Sequence, residues 1–112
     1  MTVTVAVLIP AKTAEATQTT QYTSTGLTTI IDKFTATNYS AAAATISVNL
    51  VSPSGSAGND NLIVKTKSLQ PGETYTFPEI VGFALSSGAF ISTIAGTASA
   101  INIRASGRQV TA

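Results

Sequence analysis

The chain contains neither cysteine nor histidine. The first absence excludes disulfides, thiolate nucleophiles and thiolate metal sites, and the second removes the commonest general base and transition-metal ligand. Tryptophan is missing too, and aromatic residues make up only 6% of the chain, so a stacking platform for sugars or bases has little to draw on. Charge is sparse, at 10% of residues against about 25% in an ordinary soluble domain. A net charge of +1 offers no electrostatic hold on a phosphate backbone, so no nucleic-acid partner is expected. No apolar run approaches the ~20 residues of a membrane helix, so no membrane partner is expected either.

What is present is a chain of 112 residues, 44% of them apolar, with Thr, Ser, Asn and Gln supplying most of the polarity. That length gives one domain, residues 1–112, with one core. Residues 1–17 form an arm or an added strand of it. So little charge leaves a protein few means of keeping its neighbours away, and this composition reads as surfaces meant to be covered. Thr2–Ile9 is apolar, but no Lys or Arg precedes it and Lys12 and Glu15 follow closely. Its Thr–Val alternation is a strand pattern rather than a secretory signal.

Period-two alternation recurs from end to end, and long helical periods are missing. Val3, Val5, Val7 and Ile9 share one face of the first strand, which Pro10 is expected to end. Strands are expected at 18–25 and 28–38, the second with a bulge at Ile31–Asp32 where its alternation breaks. Further strands are expected at 45–51, 62–68, 74–77, 89–95 and 100–106, with a short edge strand at 108–111. Tyr39–Ala44 and Leu69–Glu73 read as turns, and Ser52–Asn61 as the longest loop. Gly96–Ser99 reads as the loop of a hairpin. Pro78–Leu85 is the best helix candidate, with Pro and Glu in a first turn and Ile80, Phe83 and Ala84 at helical spacing. A short helix is therefore expected near 79–85. The fold class is all-β: one sandwich of about eight strands, immunoglobulin-like or jelly-roll.

Catalytic constellations do not assemble from these residues. The acids are Glu15, Asp32, Asp60, Glu73 and Glu79. Glu73 and Asp60 fall in turns, Glu79 would complement a helix N-terminus, and Asp32 is expected partly buried beside Arg104 or Lys33. A serine nucleophile would lack a histidine base and a strained elbow. Ser54–Gly58 leads into Asn59–Asp60–Asn61 and a strand, not into the helix that a phosphate cradle needs. The same loop carries a single formal charge, too little for a tight Ca²⁺ site. Asn38–Tyr39–Ser40 matches a glycosylation acceptor pattern, without a secretory signal to give it effect. Lys65 and Lys67 with Arg104 and Arg108 are the only basic grouping, and aromatics are not interleaved with them. No enzyme activity, cofactor or metal is expected.

An apolar strand such as Val3–Ile9 cannot remain an exposed edge without inviting pairing. It sits centrally in its own sheet or augments a neighbour's. Val3, Val5, Val7 and Ile9 are therefore the candidate interface residues.

Three stretches, Tyr22–Asn38, Leu50–Gly82 and Gly96–Gly107, taken in order, resemble small β-sandwich virion proteins of tailed bacteriophages. The features are a strand–turn–strand opening, a Pro-Ser-Gly-rich loop, a Leu-x-Pro-Gly-Glu-Thr turn at Leu69–Thr74 and a Pro-Glu-Ile-Val-Gly segment at Pro78–Gly82. The resemblance covers most of residues 22–111 and leaves the first strand outside it. It implies a structural particle component: a capsid decoration or cement protein, or an accessory protein of the neck, tail or fibre. The implied partners are the major capsid protein or other virion proteins and further copies of the chain, and the implied location is the virion, assembled in the host cytoplasm. A host-surface or carbohydrate-binding module is the rival, and it would show aromatics exposed on loops.

Overall fold

The alternating segments form nine strands: β1 (Thr2–Thr13), β2 (Thr19–Thr23), β3 (Thr28–Asn38), β4 (Ala44–Val51), β5 (Leu62–Leu69), β6 (Thr74–Thr76), β7 (Ala84–Leu85), β8 (Phe90–Ala95) and β9 (Ile101–Thr111). A computed structural model describes residues 1–111; Ala112, the last residue of the predicted domain, lies outside them. Among the described residues the only helical element is a short 3₁₀ turn at Asn59–Asn61, and no helix is long and apolar enough to cross a membrane.

Two antiparallel sheets result. The first runs β1-β9-β3-β6, with β7 also lying along β3; the second runs β2-β8-β4-β5. With the two-residue β7 set aside, the pairs β1–β9, β2–β8, β3–β6 and β4–β5 nest inside one another. The chain is thus one long hairpin wrapped over itself, which is the jelly-roll arrangement and not the immunoglobulin-like one.

The facing sides of the sheets supply the core. Phe34 and Phe77 are fully buried with their rings edge to face at 5.0 Å, and Tyr75 meets Phe77 in the same way at 4.8 Å. Ile9, Ile31, Ile46, Val48, Ile91, Ile101 and Ile103 fill the space around them. Each such side chain contributes about 1.5–3 kcal/mol by leaving water. One end of the sandwich is closed by polar groups instead. Gln109 Nε2 donates to Tyr22 Oη at 3.0 Å, and Tyr22 Oη lies 2.7 Å from Thr29 Oγ1, tying β2 of one sheet to β9 and β3 of the other.

Four local expectations need correction. The helix near 79–85 does not form. Ile80 N–H bonds Phe77 O and Phe83 N–H bonds Ile80 O, giving successive tight turns, and Gly82 sits at φ +92°. Backbone groups that a helix would have paired internally go to β3: Gly82 N–H to Ile31 O at 2.7 Å, and Ile31 N–H to Phe83 O at 3.0 Å. Ile80 is buried while Phe83 and Ala84 are exposed, so the helical spacing marked no single face. Gly96–Ser99 does not close a hairpin, because β8 belongs to one sheet and β9 to the other. Pro10 does not end β1, since the ladder shifts register between Ile9 and Lys12 and the missing donor falls in that irregularity. Residues 108–111 are not an edge strand, because they continue β9 between β1 and β3.

The bulge expected in β3 is there, as a register shift between Ile31 and Lys33 against β9. Leu69–Glu73 turns as expected, with Gly72 at φ +78° and Glu73 N–H bonded to Gln70 O.

Candidate interaction surface

Strand β1 is the edge of the first sheet. It pairs with β9 from Thr2 to Thr13, and among the described residues no strand lies along its other side. It is therefore neither a detached arm nor a central strand. Twelve residues at about 3.4 Å each span about 40 Å, most of the molecule's 46 Å long axis.

Val3, Val5 and Val7 stand on the outer face at 53%, 83% and 68% exposure. Ile9 does not continue the row: it is fully buried, and Leu8 beside it is 5% exposed. On a strand with one face open to solvent, alternation alone does not bury two consecutive residues. A register shift between Val7 and Ile9 against β9 inserts the extra residue and turns Ile9 inward, opposite the buried Ala105. The candidate interface is thus Val3, Val5 and Val7, with Ile9 as the core residue that anchors their strand. Met1, just before the strand, is exposed as well; the other large exposed apolar side chains lie elsewhere, Tyr39 on one loop and Val81 with Phe83 on another.

Across the sheet the outer face continues from these valines in cross-strand rows. Val3 lies opposite Val110, Val5 opposite Arg108, and Val7 opposite Ser106, with Thr28, Ile30 and Lys33 next in line on β3. Arg108 grips Asp32 with two nitrogens, Nε at 3.0 Å from Oδ2 and Nη2 at 2.8 Å from Oδ1. That guanidinium holds the Asp32 carboxyl below its ordinary range and is itself pushed up in return. Asp32 is thus exposed and paired with Arg108, not partly buried beside Arg104 or Lys33 as expected. Lys33 and Arg104 line a shallow hollow on the same face, and among the described residues neither has an acid within 4.0 Å. A second hollow, where the β1 irregularity lies against β9, is lined by Val7, Pro10, Ala11 and Arg104.

Several of the other polar residues are engaged in structure. Lys12 Nζ and Gln21 Nε2 each donate to Glu15 at 2.9 Å, and the Gln21 bond is the main cause holding that carboxyl below its ordinary value. Glu73 accepts from the Gln70 N–H inside its turn. Glu79 accepts from Tyr75 Oη at 2.8 Å, which pushes the phenol up, so its partner is a side chain and not a helix end. Asp60 is exposed on the 3₁₀ turn. In the Ser52–Asn61 loop, Asn61 Oδ1 accepts from Asn49 Nδ2 at 2.7 Å and from Gly58 N at 3.0 Å. Asn38 of the glycosylation pattern is fully buried, donating to Ala42 O and Leu69 O. The basic grouping is split: Lys65 and Lys67 lie on β5 in the second sheet, Arg104 and Arg108 on β9 in the first. Lys67 Nζ sits 4.5 Å over the Tyr75 ring.

The arrangement offers two means of holding another protein: an apolar row, and a strand edge whose outward backbone groups can extend the sheet. Sequence reasoning found the row and missed the Asp32–Arg108 pair beside it, because the bulge that brings them together sets a register no local pattern reveals. Comparison with protein-family models, with curated proteins and with solved structures gives no match.

Proposed function

We propose that this chain is a structural, non-catalytic component of a multi-copy particle, a decoration protein that holds to neighbouring subunits on the capsid of a tailed bacteriophage. One observation carries the adhesive half of the reading: three neighbouring valines exposed by more than half, on a strand edge with no charged residue before Lys12. Apolar area of this kind gains about 25 cal/mol per Å² when covered. Repetition over a shell multiplies a modest contact through avidity. The particle half is supported by the resemblance of residues 22–111 to tailed-phage virion proteins. The jelly roll is compatible with it, though that fold serves capsid and lectin domains alike and does not choose between them.

Gradient sedimentation of particles from cells producing the chain tests the reading. The expected result is co-sedimentation with the major capsid protein in many copies per particle. A few copies per particle would move the chain to the neck, tail or fibre. Retention at the top of the gradient, together with glycan binding by the purified protein, would replace the reading with a carbohydrate-binding module.

A further inference from the structure

We infer that β1 pairs antiparallel with β1 of a second copy of this chain, about a two-fold axis at Val5, joining the two first sheets into one. The inference rests on the reading of β1 as the adhesive element and names its partner. The other sheet edges are poorly suited to this. β6 and β7 are three and two residues long, and β2 is five. β5 carries Lys65 and Lys67 and is bent by a bulge at Thr66, whose φ is +46°. β1 has none of these guards over Thr2–Leu8.

The sequence of that window is complementary to itself. An axis at Val5 sets Val3 of each copy opposite Val7 of the other, Val5 opposite Val5, and Thr4 opposite Ala6, so every valine meets a valine and no like charges face each other. It also leaves Pro10 outside the new ladder. An axis at Val7 would set Pro10 opposite Thr4 and run the pairing through the β1 irregularities. An axis at Thr4 or Ala6 would deprive at least one valine of a valine partner. The row crossed by the Val5 axis also contains Arg108, whose charge Asp32 already neutralises. The two Arg108 side chains would lie three strand spacings apart, about 14 Å, beyond the ~8 Å screening length at physiological salt.

The chain's lack of cysteine makes the test direct. Cross-strand neighbours are about 4.5–5.5 Å apart at Cα, within disulfide range. Val5→Cys is therefore expected to oxidise to a covalent dimer, whereas Val3→Cys is not, because its opposite number is Val7. Val3→Cys with Val7→Cys restores cross-linking. Val5→Lys sets two cations face to face and is expected to weaken self-association about 100-fold or more in analytical ultracentrifugation, with thermal unfolding of the protomer confirming that it folds. Failure of Val5→Cys to cross-link, or a dimer indifferent to Val5→Lys, overturns the inference. A monomeric wild type that still co-sediments with particles overturns the pairing and leaves the particle reading standing. A cross-linked dimer that stays off particles supports the pairing and sinks the particle reading.

Discussion

The two longest sheet edges, β1 in the first sheet and β5 in the second, are built on opposite principles. β5 has eight residues, two of them lysines; its ladder against β4 slips at Ile46–Val48, and Thr66 N–H turns aside to bond Ser47 Oγ. Charge, bend and a diverted donor make it a poor template for another strand. β1 has twelve residues, and its first six keep a continuous register with β9 and carry no charge. An edge is protected or left open by a few residues, and here the same chain has done both. The second sheet ends itself, while the first is left able to grow.

The largest effect expected on this contrast comes from the strand that carries β1. Gly107 of β9 is buried where the β3 bulge presses in, and a Cβ there would run into the Ile30 carbonyl oxygen and meet Leu8 Cδ1 at 3.0 Å. Backbone cannot swing aside as a side chain can. Gly107→Ala is expected to cost about 3 kcal/mol of unfolding free energy, read from urea denaturation, and to loosen β1 with it. Gly96→Ala, after β8 of the second sheet, would press on the Thr45 hydroxyl, a side-chain group able to rotate away. Its expected cost is under about 1 kcal/mol. Equal costs would mean that β1 does not depend on this close approach.

Next is removal of the guard on β5. Lys65→Val with Lys67→Val leaves an apolar second edge, able to accept the open β1 of another copy in a head-to-tail contact that does not close. Light scattering is then expected to rise steadily with concentration. A variant with the same mass as the wild type at every concentration would assign the protection to the Thr66 bulge rather than to charge.

Much of this contrast was legible before folding. β1, β3, β4, β8 and the first half of β9 announce themselves by alternation, and the lysines of β5 and the valines of β1 are plain in the sequence. What stayed hidden depends on partners distant in the chain. Residues 78–85 look helical because Pro78, Glu79 and Ile80 obey local rules, yet Ile31 takes the backbone bonds that a helix would need. Ile9 belongs to the valine row by parity and leaves it because of one irregularity against β9. The jelly-roll order was undecided for the same reason: strand spacing gives the number of strands, while the pairing of β1 with β9 joins opposite ends of the chain.

A smaller effect is expected where β1 leaves its sheet. Glu15 ties Lys12 to Gln21 at 2.9 Å on each side, linking the end of β1 to β2 of the other sheet. Its carboxylate is 39% exposed, so solvent and salt screen the contact. Glu15→Ala is expected to cost about 0.5 kcal/mol, without change in self-association. A large drop in association would mean that this corner, and not Val5, governs the edge.

The smallest effect belongs to Asp32, and its pH dependence fixes the sign. The Arg108 bond lowers the folded-state pKa of Asp32 below its ordinary 3.8. A depressed carboxyl adds stability in full above the unfolded value and loses it as pH falls through the folded one. Wild type is therefore expected to unfold slightly above Asp32→Asn at neutral pH, with the gap narrowing only below about pH 4. Because both partners are exposed, the stability gap stays small and shrinks in salt. The edge feels the substitution more than the fold does: with Asp32 neutral, Arg108 stands uncompensated beside Val5, and association of two copies should weaken at low salt and recover at high salt. Sedimentation of Asp32→Asn across a salt series reads this directly. A salt-independent association would detach the Asp32–Arg108 pair from the open edge and leave the valines alone to account for it.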